Sequence, residues 1–315
     1  MILLKLDQGR SWFSRESFVL LPQTDLLLLR VKDRRKSRSI FSRTMKKPYR
    51  QSAKPRAARS RARGRADRKL CLIRIPGLPE IRKGEDLAKS IVAAARKAGL
   101  RFEAGDVLVV AQKIVSKAEG LVVSLGKVIP SAKAQALAAQ LKKDPRAIEL
   151  VLRESRRILR SDRVLITETH HGFVCANAGV DHSNVPGDDL VTLLPRDPDG
   201  SAEKLAARLC KITGKRIAVI ITDTFGRPWR LGLTNVAIGA SGLPVLLDLR
   251  GTRDRDGKPL TATVLAVADE LGAAAGLLMG KAEGTPAVLI RGYRFKPASE
   301  KAARIVRPAS EDLFR

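Results

Sequence analysis

The order of apolar and polar positions changes near residue 70, where strand-like and helix-like segments begin to alternate. Apolar residues at helical spacing predict helices over 85–100, 131–160, 201–213 and 263–279, and the second of these ranges divides into two helices near Asp144 and Pro145. Short apolar runs predict strands over 106–111, 163–167, 172–175, 217–222 and 287–290. The alternation predicts one folded domain, residues 70–315, with the mixed segments of an α+β fold.

Two polar islands interrupt this pattern, one over 171–189 and one over 219–232. Asp181 and Asp223 each follow a short apolar run, so we expect them at strand ends that face a shared crevice. Neutral hydrogen-bonding groups and guanidinium groups accompany them: Asn177, Ser183, Asn184, Thr222, Thr224, Arg227 and Arg230. Carboxylates in such surroundings indicate a site for a metal ion and a phosphate.

Each of these residues also has a purely structural interpretation. An aspartate after a strand is often a cap or turn residue, and only the occurrence of two beside Thr and Arg favours function. Lys117, in the SKAEG segment, is either an exposed turn lysine or a cation for phosphate. Asp269 and Glu270 are most simply the solvated face of a helix. Because the chain has neither GxxxxGK[ST] nor GxGxxG after a strand, a nucleotide must be bound by other means.

Positive charge is concentrated at the N-terminus. The first 69 residues contain 21 Lys and Arg against 5 Asp and Glu, which accounts for 16 of the formal net charge of +28. Residues 34–69 are predicted to be disordered because they contain few large apolar side chains. Two interpretations of the extension, residues 1–69, stay open. In the first, translation begins downstream of Met1, for example at Met45, and the assigned start lies too far upstream. In the second, the extension is genuine and binds RNA or acidic surfaces non-specifically.

The cysteines and the longest apolar runs predict the compartment. Cys71, Cys175 and Cys210 have no CxxC spacing, so we expect neither a disulfide framework nor a zinc site. No run reaches the ~18 apolar residues of a membrane span. These features predict a cytoplasmic protein that does not contact membranes.

Ordered motifs between about residues 73 and 293 resemble one enzyme family. They include IPGLPEI, GDVLVVAQKIVSKAEG, HGFVCANAGVDHSNV, ITDTFGRPWR and LLMGKAEGTPAVLIRG. The sequence resembles the coenzyme F420-0:L-glutamate ligases, also called F420 gamma-glutamyl ligases. The resemblance implies an α+β fold that forms an intertwined homodimer. It also implies an enzyme that uses GTP, two divalent ions (Mg²⁺ or Mn²⁺) and K⁺ to join L-glutamate to the phospholactyl carboxylate of F420-0, and then adds a further gamma-linked glutamate.

The same resemblance implies which residues bind the nucleotide. Lys117 resembles a nucleotide-binding lysine, and Asn184 resembles a further nucleotide contact. The guanine-nucleotide loop is matched by four consecutive residues: Gly77, Leu78, Pro79 and Glu80.

Metal ligands and charge-neutralising groups are implied as well. Asp181 and Asp223 resemble ligands of the first ion, and Thr224 resembles a ligand of the second. We expect Arg227 and Arg230, together with Lys117, to neutralise charge as GTP phosphorylates the acceptor carboxylate to an acyl phosphate.

Three positions depart from the family pattern. Gln112 replaces a small hydroxyl residue, although it can still hydrogen-bond a nucleotide, and Leu233 and Asn235 replace the Gln and Asp common in bacterial relatives. We therefore expect an altered pocket. Two other functions stay open: a related nucleotide-dependent carboxylate–amine ligase with a different acceptor, and an RNA-binding protein that acts through residues 34–69.

Overall fold

The computed structural model of the protein describes residues 69–187 and 189–312. The basic extension predicted over residues 1–69 lies outside the described residues except for Lys69, and its disorder stays a prediction. The described residues form both helices and strands, which confirms the predicted mixed α and β content.

A five-stranded sheet with the order β1-β12-β2-β8-β9 lies at the centre of the fold. Its strands are β1 (Cys71–Arg74), β2 (Val107–Ala111), β8 (Ala218–Arg227), β9 (Arg230–Ser241) and β12 (Ala287–Arg291). β2 and β8 are parallel, whereas the other neighbouring pairs are antiparallel. β2 and β12 have almost uninterrupted apolar sequences because both faces of these strands are buried.

Helices cover the two faces of this sheet. α1 (Leu87–Lys97) and α5 (Pro198–Thr213) pack on one face, where their cluster includes Leu108 and Val110 of β2. α6 (Val267–Met279) packs on the other face, where its cluster includes Val107 and Val109. Alternate residues of one strand thus contribute to two cores. A short helix, α2 (Gln112–Ala118), follows β2 directly.

Local sequence signals explain where the predicted helices begin and end. The Asp86 side chain accepts a hydrogen bond from the Lys89 backbone N–H at 3.1 Å at the start of α1. α5 begins with Asp197 as its N-cap and Pro198 in the first turn, and it ends at Gly214, whose φ of 69° is left-handed. None of the helices in the described part of the chain is long and apolar enough to cross a membrane.

A second, smaller core lies beside the central sheet, and residues 174–176 of this part pack against β8. Its buried residues include Leu125, Ile148, Leu165 and Val191. They come from α3 (Ala132–Leu141), α4 (Pro145–Arg153), the sheet of β4 (Ser155–Arg160), β5 (Ile166–Thr169) and β6 (Val174–Ala176), the pair β3 (Val122–Ser124) and β7 (Leu190–Thr192), and the intervening segments. A separate pair joins β10 (Leu247–Asp248) to β11 (Val264–Leu265).

Three predicted elements are corrected by the structure. Residues 155–160 form strand β4 instead of a helix, and the neighbouring strand compensates their charge through ion pairs of Arg156 and Arg157 with Glu168, at 3.2 and 2.7 Å. The strand predicted over 217–222 continues to residue 227 because β9 pairs with it along its whole length, so Asp223 lies inside β8. The lysine of SKAEG, Lys117, lies on helix α2 and is 8% exposed, so it is not in an exposed turn.

Candidate active site

Most of the predicted site residues lie at one edge of the central sheet. β1, β2 and β8 run in the same direction, so their carboxyl ends share this edge, and the antiparallel β12 begins there. The edge therefore brings together the 77–80 loop, helix α2, the second half of β8 and the link over residues 280–286. Ligands of open α/β sheets bind outside the carboxyl ends of the strands.

Asp181 reaches this edge from the second core and is paired with a lysine of α2. Its backbone is fixed by two hydrogen bonds with Thr192, at 3.1 and 2.9 Å. Lys113 Nζ lies 2.7 Å from Asp181 Oδ2, and the backbone N–H of Ser183 donates to Oδ1 at 2.8 Å. Burial acts to raise the pKa of Asp181, but Lys113 and Ser183 outweigh it and hold this pKa below its ordinary value. Asp181 is therefore an anion.

Asp223 has the opposite shift. Burial of this largely buried carboxyl group raises its pKa to about 6 from an ordinary value of 3.8, and the charge of Asp181 acts in the same direction. The Thr224 backbone N–H, Lys113 and Lys281 act against the rise. Since Asp181 and Asp223 disfavour each other's charge, a cation between the two carboxylates would stabilise both anions.

A β-bulge lies immediately before Asp223. Ile221 of β8 pairs with Gly239 of β9, but the next residue, Thr222, pairs with Ala237, so one residue of β9 is extra. The Ala237 backbone N–H donates to Asp269 Oδ1 of α6 at 2.8 Å. Asp269 therefore stabilises the bulge, which is a structural role different from the solvated face predicted for it. Bulges beside active sites set the direction of neighbouring side chains.

The predicted nucleotide loop is in direct contact with the predicted nucleotide lysine. Lys117 Nζ lies 2.5 Å from Glu80 Oε1, and the side chain of Lys117 is 9% exposed whereas that of Glu80 is 62% exposed. Gly77 turns the loop with a left-handed φ of 72°, a conformation that glycine adopts without strain. Leu78 packs against the main core, and Pro79 is exposed.

Gln112 is buried at the start of α2, with 1% exposure. Its Oε1 accepts a hydrogen bond from the Ser116 hydroxyl at 2.8 Å, but its Nε2 has no hydrogen-bond partner among the described residues. A buried amide N–H without a partner is unfavourable, so this group is available to an acceptor atom of a ligand.

Thr224 also has a lysine partner. Lys281 Nζ, from the link that follows α6, donates to Thr224 Oγ1 at 2.8 Å. Each of three oxygen-bearing residues at this edge, Asp181, Glu80 and Thr224, is thus in contact with a lysine ammonium group.

The two predicted arginines lie farther away, at the turn between β8 and β9. Arg227 is four residues beyond Asp223 along β8, which corresponds to about 13 Å of strand. It pairs with Arg230 across the turn, and its Nη2 donates to the Leu231 carbonyl at 3.1 Å. Asn184 is exposed in a left-handed turn near Asp181. Within one chain, the structure does not bring the arginines to the carboxylates, and their role stays a prediction.

Comparison with known proteins assigns the chain to a family. The F420-0:Gamma-glutamyl ligase family matches residues 77–292. The chain belongs to this family.

Several curated relatives of this ligase family are similar along nearly their whole length. The Coenzyme F420:L-glutamate ligase of Methanothermobacter thermautotrophicus is 47% identical over 250 residues, which cover 78% of this chain and 99% of the relative. The protein of the same name from Methanopyrus kandleri is 48% identical over 254 residues, covering 77% and 98%. That of Methanocaldococcus jannaschii is 42% identical over 240 residues, covering 76% and 94%.

The family match includes two lysines that sequence reasoning did not single out, Lys113 and Lys281. Lys113 lies four residues before Lys117 on α2 and therefore on the same helix face, a spacing that could have indicated a pair. Lys281 has no such local signal, because its partner Thr224 is 57 residues away in the sequence.

The two carboxylates at this edge, Asp181 and Asp223, fit one divalent ion of the hard type. Mg²⁺ prefers oxygen ligands and is usually held by one or two carboxylates together with substrate phosphates. Asp181 and Asp223 supply two such carboxylates. No group of three or more His, Cys, Asp or Glu side chains that could hold a metal ion occurs in the described ranges. The remaining ligands would have to come from a nucleotide or from water.

Proposed function

We propose that the chain is a GTP- and divalent-metal-dependent ligase that joins L-glutamate to the phospholactyl carboxylate of F420-0 and then adds a further gamma-linked glutamate. The observation that carries the proposal is the clustering of Asp181, Asp223 and the Lys117–Glu80 pair at one sheet edge, inside the region that matches the family. The names of the relatives, Coenzyme F420:L-glutamate ligases, supply the substrate class, F420 and L-glutamate.

The proposed chemistry starts from a poor electrophile, because a carboxylate resists attack by an amine. An oxygen of the F420-0 carboxylate attacks the γ-phosphorus of GTP, the bond to the bridging oxygen breaks, and GDP leaves. The glutamate nitrogen then attacks the acyl carbon of the acyl phosphate, the bond to the phosphate oxygen breaks, and the nitrogen loses a proton. This sequence needs no nucleophilic side chain, since positioning of two bound reactants can contribute roughly 7–11 kcal/mol.

Residues of the edge have separate roles in this proposal. Lys117 and Lys113 bind phosphate oxygens once the ligands replace their present carboxylate partners, and Gln112 Nε2 donates to the nucleotide. Asp181 and Asp223 hold Mg²⁺ or Mn²⁺, which when bound reduces the charge repulsion between GTP and the anionic acceptor. Activation by K⁺ and a cytoplasmic location are further parts of the proposal.

The proposed active form is a homodimer. The turn between β8 and β9 and the first residues of β9 carry apolar side chains in contact with solvent: Trp229 of the turn is 81% exposed, and Leu231 and Leu233 of β9 are 99% and 63% exposed. Neighbouring exposed apolar residues of this size indicate an interaction surface. A second copy that covers them would also carry the arginines at the base of this turn into contact with another protomer.

The experiment that tests this proposal is an incubation of the full chain with F420-0, L-glutamate, GTP, Mn²⁺ and K⁺, followed by mass analysis of the deazaflavin and assay of GDP. We expect one or two glutamyl units to be added and GDP to form. Asp223→Asn should reduce turnover by orders of magnitude while the protein remains folded, and Asp162→Asn, in the exposed turn after β4, should leave it unchanged.

Other outcomes separate the remaining alternatives. Replacement of K⁺ by Na⁺ tests the potassium requirement in the same assay. An unchanged deazaflavin with GTP unconsumed would contradict the ligase proposal. GDP formation that depends on another carboxylate would instead favour the ligase with a different acceptor.

A further inference from the structure

A basic cavity lies at the edge of the central sheet opposite the candidate active site. β2 and β8 are parallel, and their first residues, Val107 and Ala218, pair with each other at this edge. The cavity has a volume of about 590 Å³, within the ~300–1,000 Å³ of small-molecule pockets. Its walls come from the C-terminal ends of α1 and α5 and from the segments that lead into the two strands: Val92, Arg96, Gly99, Leu100, Arg101, Phe102, Thr213 and Lys215.

The charge of this cavity is entirely positive. Among the described residues that line it, three are cationic and none is acidic: Arg96, Arg101 and Lys215. These three side chains are exposed, and none of them forms an ion pair with a described residue. The acidic residues of the adjacent turn, Glu103 and Asp106, are paired with Arg291 instead, at 2.7 and 2.8 Å. The cavity therefore has positive charge that the described protein groups do not neutralise.

The two helix ends beside the cavity do not account for these cations. Carbonyl groups at the C-terminus of a helix can accept hydrogen bonds from lysine and arginine side chains. At the end of α1, however, the backbone N–H of Leu100 donates to the Ala95 carbonyl at 2.8 Å, and at the end of α5 that of Gly214 donates to the Cys210 carbonyl at 2.9 Å. The backbone satisfies these carbonyls itself, so the cationic side chains are available to a ligand.

The apolar part of the lining is buried, whereas the cations are exposed. Val92 is 3% exposed, Phe102 is 8% exposed, and Leu100 packs against the main core. The Gly105 backbone N–H donates to the Arg216 carbonyl at 3.2 Å and so joins the segments that enter β2 and β8. An apolar floor below a charged mouth suits a ligand with a ring at one end and an anionic group at the other. Phosphate is such an anion, because guanidinium groups bind its oxygens in pairs.

We propose that this cavity binds a phosphorylated small molecule, with the phosphate held by Arg96, Arg101 and Lys215 and a ring against the apolar floor. The site lies at the opposite edge of the sheet from Asp181 and Asp223. It is separate from the residues that the proposed ligase reaction uses, so the proposal does not rest on the proposed function.

The test is a calorimetric titration of the full chain with phenyl phosphate and, in comparison, with inorganic phosphate. We expect phenyl phosphate to bind about 10-fold more tightly, because its ring buries apolar surface. The double variant Arg101→Gln and Lys215→Gln should weaken this binding at least about 10-fold, since two charged donors are lost. Its thermal unfolding midpoint should be unchanged, because both side chains are exposed. Lys133→Gln, on the exposed side of α3, is the matched control and should bind phenyl phosphate like the unsubstituted protein.

A further variant distinguishes this cavity from the candidate active site, where phosphate can also bind. Lys117→Met should retain the binding of phenyl phosphate, and loss of binding there but not in the double variant would overturn the proposal. Equal affinities for phenyl phosphate and inorganic phosphate would also overturn it, because the ring would then have no apolar contact. If the unsubstituted protein binds no phenyl phosphate, the proposal is wrong. Binding of single-stranded RNA that the double variant loses would in that case assign the three cations to a nucleic-acid surface.

Discussion

The two site aspartates differ in how their charge is compensated. Asp181 has a lysine at 2.7 Å and two donors from Ser183, whereas Asp223 has a backbone donor and more distant charges. The result is a low pKa for Asp181 and a pKa of about 6 for Asp223. Divergent pKa values in two neighbouring carboxyl groups are typical of functional sites.

Asp223 should make the metal-free protein less stable as the pH rises. Because its folded pKa of about 6 lies above the ordinary 3.8, the folded state binds the proton more tightly. The stabilisation is complete below about pH 4 and is lost as the pH rises through 6. The unfolding free energy of the wild type relative to Asp223→Asn should fall by up to about 3 kcal/mol between pH 4 and 7.

Urea unfolding of the wild type and of Asp223→Asn at several pH values measures this difference in unfolding free energy. The contributions of the other titrating groups are nearly the same in both proteins and therefore largely cancel. A difference that does not change with pH would contradict the raised pKa. Addition of Mn²⁺ at pH 7 should stabilise the wild type more than Asp223→Asn, because only the wild type has both carboxylates.

Lys117→Met should weaken GTP binding while the fold is retained. The substitution keeps most of the buried apolar stem but removes a charged donor to phosphate, which is worth roughly 1.5–3 kcal/mol, or about a 10- to 100-fold increase in the dissociation constant. The exposed Glu80 left behind remains solvated. Calorimetric titration with GTP measures the effect, and Lys133→Met is the matched control. Equal affinities for the two variants would rule out a phosphate contact by Lys117.

Sequence reasoning could identify residues of the site whose neighbours in the chain are informative, and it missed those that depend on distant contacts. Asp181 and Asp223 follow apolar runs, and the structure brings both to the same edge. The partner of Lys113 lies in the second core, and Lys281 meets Thr224 only because β12 inserts into the sheet. No local pattern encodes such contacts.

At the scale of the elements, the predictions succeeded where capping chemistry is strong. The helix over 201–213 ends at Gly214 as expected, and Pro145 begins α4 as the break near 144–145 predicts. β4 was misassigned because its arginines are compensated by Glu168 of another strand. The length of β8 was underestimated because the polar second half of this strand is stabilised by pairing with β9, not by burial.

Gly239 of β9 is expected to tolerate no side chain. A Cβ at this position would lie 2.3 Å from the Pro198 carbonyl oxygen at the start of α5, whereas a Cβ at Gly226 of β8 would meet nothing closer than Leu233 Cδ2 at 3.8 Å. Gly239→Ala should therefore lower the free energy of unfolding by at least about 1–3 kcal/mol, because backbone must move. Gly226→Ala is the matched control and should change it by less than about 1 kcal/mol.

Urea denaturation at constant pH compares the two variants. Equal stability of Gly239→Ala and Gly226→Ala would contradict the close contact between β9 and α5. Since β9 also carries the bulge beside Asp223, Gly239→Ala should lower ligase turnover as well.

At the scale of the whole molecule, the exposed apolar side chains at the start of β9 predict where two protomers of the proposed homodimer meet. Leu231→Asp combined with Leu233→Asp should convert the proposed dimer to monomers, because burial of a charged side chain at an interface is unfavourable. Sedimentation velocity measures the change. Ile129→Asp, an equally drastic substitution at a residue that is 83% exposed near α3, should leave the dimer intact. Dissociation by Ile129→Asp alone would place the interface elsewhere.

The strand order of the central sheet also constrains how the chain acquires its structure during synthesis. β12, near the end of the described residues, lies between β1 and β2, which are among the first elements to emerge from the ribosome. Val109 of β2 pairs with Val288 of β12 on one side and with Ile220 of β8 on the other. The pairing of β2 therefore cannot be completed until β8 and β12 have been translated, much later than β2 itself. Pairing over such sequence distances is slow because loop closure must precede the stabilising contacts. A nascent chain stopped before β12 would leave the edges of β1 and β2 exposed, and such edges promote aggregation.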